Sequence, residues 1–348
     1  MIDQILENSL INSLIKNFPR SPLQINKAHE SDSEIIMTGE DSNDSLAITT
    51  DSIAEEIKSG LYDNPYLIGW MSVMVNISDL AAVGAKPLGL VLSEIIPPNY
   101  PQKDLKKLQS GINDACKRCR IFILGGDTNS GNDLIITGTA IGILENNKFI
   151  LRIGSRPNDI LYSTGFLGKG NAFAISRFLN KSELEFFPQA RVQQGRIIKD
   201  FASACMDTSD GVISTLDQLM RLNKNGFRLN EYWENKIDRK SLELADSFSI
   251  PAWLLLAGCH GEFELLFTIP QNLQHEFLLK AKEINWDPVE LGSVIKETKI
   301  EIPVYNKITE IDSTKIRNLT YSLDKGIEFY LKSLLAMDEK IRSIKFDE

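Results

Sequence analysis

The sequence predicts an α/β chain, built as α+β layers and divided into two domains. Three observations carry this. Strand-like and helix-like runs interleave through both halves. The 348 residues are more than one hydrophobic core usually serves. A polar stretch, ENNKF at 145–149, marks the point where the pattern restarts. The expected division is 1–150 and 151–322, with a C-terminal helical tail over 323–348.

The opening run spaces Ile2, Ile5, Leu6, Leu10, Leu14 and Ile15 near the helical period and reads as a short amphipathic helix. It lacks the cationic start and small-residue cleavage site of a signal peptide. SLAITT at 45–50 is β-branched and reads as a strand ending at Asp51. Residues 66–84 read as a largely buried helix closing at Gly84, with Pro87 beyond it. LGLVLSEII (88–96) is a second strand bounded by Pro97 and Pro98, and PQKDLKKLQSGINDACKRC a helix. IFIL (121–124) is a third strand running into Gly125, Gly126 and Asp127, and LIITGTAIGIL (134–144) a fourth. Beyond residue 150 come a strand at DILYST, a glycine-rich turn, a helix over 171–180 and a helix after Asp210. A strand at 263–270, a helix at QNLQHEFLLKAKEI and a strand at 299–305 follow. The last residues, YLKSLLAMDEKIRSIKFDE, read as a surface helix that frays into charge.

With 38 basic and 47 acidic residues the net charge is −9, which gives no general attraction to nucleic acid or an anionic membrane. Acidic chains still bind nucleotides when a metal bridges the carboxylates. No apolar run approaches the roughly 20 residues that span a bilayer, so a cytoplasmic location is expected. Cys116 and Cys119 form a single C-x-x-C in a helical segment, which reads as two thiols on a helix; Cys205 and Cys259 are scattered. The three histidines are too dispersed to suggest a metal site.

The residues that can carry chemistry are aspartates beside glycines. Within the apolar helix 66–84, Ser72, Asn76 and Asp79 fall at i, i+4 and i+7, on one face. A carboxylate there costs several kcal/mol unless a cation or hydrogen bonds compensate it; a satisfied structural Asp is the plain alternative. In GGDTNSGND (125–133) two glycines let a ligand approach the backbone at a strand's C-terminal edge, with Asp127 following; a plain turn is the alternative. Asp51 is placed similarly after SLAITT. In MDTSDGVISTLDQLM (206–220), Thr208 or Ser209 can cap the next helix, and Asp207 and Asp210 suit its positive end. Capping accounts for one acid but not two. STGFLGKGNAFAI (163–175) sets glycines before a helix with Lys169 near its start, an arrangement able to receive phosphate oxygens, although it lacks Walker A spacing. Oxygen donors without His or Cys select Mg²⁺, which usually arrives with a nucleotide's phosphates.

DSIAEE (51–56), VNISDLAAVGAKP (75–87), GGDT (125–128), GSRPNDILYSTGFLG (154–168) and DTSDG (207–211) occur in this order. Together they resemble the superfamily of aminoimidazole ribonucleotide synthetase, selenophosphate synthetase, the hydrogenase maturation dehydratase and thiamine-monophosphate kinase. The resemblance is closest to the kinase and covers roughly residues 1–305. It implies a two-domain synthetase-like fold whose N-terminal domain holds ATP and dimerises through its sheet. It implies Mg²⁺ held by Asp51, Asp79, Asp127 and Asp210, with Asp32 in HESDSEII standing where the family has a Gly-Asp-Asp stretch. Asn76, Gly125, Gly126, Thr128 and Ser209 would contact the nucleotide, and Asp127 and Asp210 would be essential to turnover. CHGEFE (259–264) replaces the family's Gly-Gly-Glu-Asp-Tyr-Glu and keeps Glu262 and Glu264. The implied activity is Mg²⁺-dependent phosphoryl transfer from ATP to an anionic or phosphorylated small molecule, as from ATP to thiamine monophosphate. Alternatives within the superfamily are amide activation by ATP, or nucleotide binding without catalysis.

Overall fold

The structure, a computed structural model, describes residues 2–39, 42–179, 184–321 and 327–343. The expected boundary at 322/323 and the charged end at 344–348 lie outside the described residues. In chain order the elements are α1 (Leu6–Ile15), β1 (Glu34–Met37), β2 (Ser45–Ser52), α2 (Ala54–Lys58), α3 (Pro65–Ala82), β3 (Lys86–Ile96), α4 (Gln102–Cys119), β4 (Phe122–Ser130) and β5 (Ile135–Leu144). There follow β6 (Ile160–Ser163), α5 (Lys169–Phe178), α6 (Val192–Phe201), β7 (Ala204–Asp207), α7 (Val212–Asn223), β8 (Gly226–Leu229), α8 (Arg239–Ser247) and α9 (Leu254–Ala257). The chain closes with β9 (Leu265–Ile269), α10 (Gln274–Lys282), β10 (Val289–Ile295), β11 (Ile300–Val304), β12 (Lys307–Glu310), α11 (Ser313–Leu319) and α12 (Ile327–Ser343).

Two compact units are present, and each is discontinuous, unlike the contiguous division expected at residue 150. The N-terminal unit is Arg20–Leu151 with Glu185–Asp200; the C-terminal unit is Met1–Pro19, Arg152–Leu184 and Phe201–Glu348. Polar latches explain why the first residues join the C-terminal unit. The Asn8 side chain donates to Gln218 Oε1 at 3.0 Å, and Arg317 pairs with Glu7 at 3.0 Å. Behind them the fully buried Asp217 takes two bonds from Arg221, at 2.7 and 2.9 Å, one from Arg317 at 3.2 Å and one from the Ser313 hydroxyl at 2.6 Å. A buried carboxylate is tolerable only when its lone pairs are satisfied in this way.

The N-terminal unit is a five-stranded sheet in the order β1-β2-β5-β3-β4, antiparallel except between β3 and β4. Its β5 alternates buried and half-buried residues from end to end, the period of a strand with one covered face. The covered face carries Ile136, Ala140 and Leu144, and α3 lies against it. Asn64 caps α3 by accepting the Tyr66 N–H, Pro65 fits its first turn, and the positive φ of Gly84 (75°) follows its end. The opposite face carries Ile48, Val91 and Ile141, all half-buried.

The C-terminal unit holds seven strands in the order β12-β11-β8-β10-β6-β9-β7, antiparallel except between β8 and β11. Its core joins α5, α7, α9, α11 and the inner strands. The helix α12 belongs to that core as well: Tyr330, Leu334 and Met337, at i, i+4 and i+7, are buried. The expected surface helix is therefore a packed one, because its apolar stripe finds a partner that local sequence could not reveal.

Candidate functional site

In the N-terminal unit, Thr49 and Asp51 of β2 alternate onto the covered face, toward α3. There the fully buried Asn76 accepts the Asp51 N–H on its Oδ1 at 3.0 Å and donates from Nδ2 to the Ser72 carbonyl at 3.1 Å. One turn along, Asp79 Oδ2 accepts the Thr49 hydroxyl at 2.6 Å. The helix face read from Ser72, Asn76 and Asp79 is thus the one turned to β2 and β5. Gly138 of β5, opposite Asp51, is required by close approach: a Cβ there would lie 2.3 Å from Asn76 Nδ2.

Asp32 joins this group, since Asp32 and Asp79 present carboxylate oxygens within 4.8 Å of each other. The flanking Ser31 and Ser33 hydroxyls are buried with no hydrogen-bond partner among the described residues. Two carboxylates this close form a hard oxygen donor pair that fits a hydrated Mg²⁺ ion. Near Asp51, burial first and then the charges of Glu56 and Asp51 push the Tyr62 phenol well above its ordinary value. Neither Thr49 nor Tyr62 stands out in the sequence; only the two-residue spacing of Thr49 and Asp51 hints at a shared face.

The GGDT segment differs from expectation. The strand does not end at Leu124 but runs through Gly125, Gly126, Asp127 and Thr128 to Ser130, with every residue exposed. Asp51, Gly138, Leu92 and Gly126 lie in one row across the sheet. Asp127 lies in the next row, with Ser93, Thr137 and Ser52. Alternation therefore turns Asp127 to the face opposite Asp51, three strands away. Its carboxylate accepts the Asn129 side-chain amide at 2.6 Å. Thr128 turns back to the α4 side and lines a cavity of about 810 Å³ with Glu94, Gln109 and Asn113. Within one copy of this unit, Asp32, Asp51, Asn76 and Asp79 converge and Asp127 does not.

In the C-terminal unit, Asp207 ends β7 and is buried, while Asp210 is exposed. The Ser209 hydroxyl donates to Asp207 Oδ1 at 3.0 Å, and Thr208 Oγ1 accepts the Glu264 N–H at 3.0 Å. Neither hydroxyl caps α7, whose N-cap is Gly211, so the capping reading of this turn does not hold. The 207–211 turn is instead sewn to the 258–264 loop. Thr208 N–H donates to the Glu264 carbonyl at 2.8 Å, and Gly261 N–H donates to the Ser209 carbonyl at 2.8 Å. A side chain at 261 is impossible, as its Cβ would fall 1.3 Å from the Thr208 carbonyl oxygen.

The glycine-rich turn before α5 is not an open phosphate cradle. Glu262 Oε2 accepts the Gly168 N–H at 2.9 Å and the Gly170 N–H at 3.3 Å, so a carboxylate of the chain itself occupies the helix N-terminus. Burial, opposed by these N–H groups and aided by the charge of Glu264, raises the Glu262 carboxyl to about 8. Burial likewise lowers His260 to about 4. On α4, burial pushes the Cys116 and Cys119 thiols up to about 11 and about 12.

The family described as "AIR synthase related protein, N-terminal domain" matches residues 31–144. A thiamine-monophosphate kinase of Buchnera aphidicola subsp. Schizaphis graminum is 32% identical over 280 residues, 76% of this chain and 84% of its own length. One of Pyrococcus abyssi is 27% identical over 336 residues, 93% of this chain and 99% of its own. In structure, the complex described as "AaThiL complexed with AMPPCP and TMP" superposes with a TM-score of 0.72 at 20% identity, covering 89% of this chain and 98% of that one. That likeness establishes the two-domain fold, and the sequence relationship over most of both chains establishes kinship: the chain belongs to the thiamine-monophosphate kinase family.

Proposed function

We propose that the protein transfers the γ-phosphoryl group of ATP to the phosphate of thiamine monophosphate, in a Mg²⁺-dependent reaction. The observation that carries the reading is the pairing of Asp32 with Asp79 in a chain of this family. The structural relative described with AMPPCP, an ATP analogue, and TMP supports the choice of both substrates.

In this reaction a terminal phosphate oxygen of the acceptor attacks the γ-phosphorus, the bond to the β–γ bridging oxygen breaks, and ADP leaves. The acceptor oxygen is already ionised near neutral pH, so no general base is needed. Bound Mg²⁺ supplies neutralisation of the phosphate charges. Asp32, Asp51 and Asp79 would hold the ion as ionised ligands, and Asn76 holds the Asp51 backbone to α3. Ser209 is read as a nucleotide contact, and Asp210 as a metal ligand.

Asp127 acts, in this reading, from the open face, and Gly125 and Gly126 let the nucleotide approach the backbone of β4. The exposed edge strand β4, with Phe122 75% exposed, and the half-buried apolar face are read as a self-association surface giving a homodimer. Among the described residues no helix is long and apolar enough to cross a membrane; a cytoplasmic location, with its supply of ATP, is part of the proposal.

The test is ADP formation with Mg²⁺, with and without thiamine monophosphate, and identification of the product by mass. Acceptor-dependent ADP with thiamine diphosphate as product is expected. ADP and free phosphate with a dehydrated or cyclised product would transfer the reading to amide activation. Asp210→Asn should lower turnover by orders of magnitude, of the size seen when transition-state charge loses its compensation.

A further inference from the structure

We propose that Asp338, on the C-terminal helix α12, is a positioning residue that fixes the 258–264 loop and, through it, the 207–211 turn. Asp338 is 3% exposed and accepts three hydrogen bonds. They come from Trp253 Nε1 at 2.8 Å, from the Tyr305 hydroxyl at 2.8 Å and from Arg342 Nε at 2.6 Å. The Arg342 guanidinium also lies 4.9 Å from the centre of the Tyr305 ring. One carboxylate thereby ties together α12, the β11–β12 turn and the residue that opens α9.

From Trp253 the connection runs in short steps. Trp253 is buried and directly precedes α9, whose Leu255 carbonyl accepts the Asn171 side-chain amide at 2.8 Å. Asn171 Oδ1 in turn accepts the His260 N–H at 3.2 Å. The next residue, Gly261, bonds to Ser209. A second route starts on α12 itself, where the buried Tyr330 lies beside Cys259; burial, then that thiol, push its phenol well above the ordinary value. Both routes end on a loop under strain, since Phe263 holds a left-handed φ of 60°. A non-glycine residue keeps such a conformation only where its surroundings over-determine it.

Packing alone does not require a carboxylate at 338. An apolar side chain would bury there without desolvating a charge, whereas directional bonds to an indole and a phenol fix orientation. Asp338 therefore acts on the loop through Trp253, without touching substrate.

The full chain tests this with Asp338→Ala and the milder Asp338→Asn, which keeps one acceptor oxygen. Amide hydrogen exchange is followed over 258–264, 207–211 and the neighbouring strand β9. In the Ala variant, exchange in both loop segments should rise about tenfold while β9 is unchanged, as expected of local rather than global opening. The Asn variant should fall between it and the parent. Turnover at a temperature well below unfolding should drop and the KM for ATP should rise several-fold, since the loosened turn carries Ser209. Unchanged loop exchange overturns the proposal, and so does an equal rise in β9, which would make Asp338 merely structural. Should the Ala variant not fold, the Asn variant carries the same comparison. The turnover readout rests on the kinase reading; the exchange readout does not, so the two can fail separately.

Discussion

Asn76 Oδ1 accepts the backbone N–H of Asp51 at 3.0 Å, joining the middle of a buried helix to the end of a strand. Replacing Asn76 with Ala leaves that N–H without its partner and opens a gap above Gly138. A buried group stripped of its partner costs about 1–3 kcal/mol. Asn76→Ala should lose stability of that order, read as a reduced urea midpoint, and should lose more than tenfold in ATP turnover even where fully folded, since Asp51 is displaced. Parent-like turnover in the folded variant would show that Asn76 does not organise the site.

Asp32 and Asp79 share a short separation, so their neutral amide analogues should act on metal binding first. Asp32→Asn and Asp79→Asn should each raise the Mg²⁺ concentration for half-maximal ADP formation by roughly tenfold or more, from loss of a ligand charge. The double variant should not be additive, because neighbours that share one ion are coupled. Two single variants with the parental Mg²⁺ dependence would remove this pair from the metal site.

Asp127 faces away from Asp51, so the two cannot serve one site within a single copy. If a second copy brings Asp127 to the site, inactive Asp51→Asn and Asp127→Asn chains should complement one another. Refolded together in equal amounts they should regain up to roughly a quarter of parental turnover, since half the dimers of a twofold assembly are mixed and each keeps one intact site. Complete absence of complementation in demonstrably mixed dimers would argue that each copy acts alone.

Glu262 and His260 make stability depend on pH in opposite senses. The His260 value falls from 6.5 to about 4, so its contribution grows as pH rises from about 4 to 6.5. The Glu262 value rises from 4.5 to about 8, so the folded chain keeps a proton that the unfolded chain has released. Its stabilisation is full below the unfolded value and declines as pH rises towards about 8. Between pH 6.5 and 8 only the Glu262 effect remains, with a slope of at most about 1.4 kcal/mol per pH unit. Glu262→Gln should flatten that slope in urea titrations at successive pH values. An unaltered slope would assign the dependence to other groups.

The legible part of the fold was the part with local causes. The two-residue alternation of β2 and β5, and the turn that closes α3 at Gly84, follow from side-chain period and backbone preference within a few residues. The polar face of α3 was readable for the same reason, because Ser72, Asn76 and Asp79 interrupt an apolar helix at its own period. The short strands β1, β7, β8 and β12, of four residues each, have too little length to announce a period. The glycines of GGDT favour a turn locally and so suggest the end of a strand, while pairing with β3 holds them extended.

What the sequence determined by itself was therefore the alternating α/β plan, the carboxylates worth examining and the family their order belongs to. Only the tertiary structure decided that Asp32 meets Asp79, that Asp127 turns to the other face, that α12 is packed into the core, and that Glu262 fills the N-terminus of α5 from 94 residues away. Local pattern records which residues share a face. Which faces and termini meet is set by long-range register and packing, where a one-residue change reverses a side chain's direction.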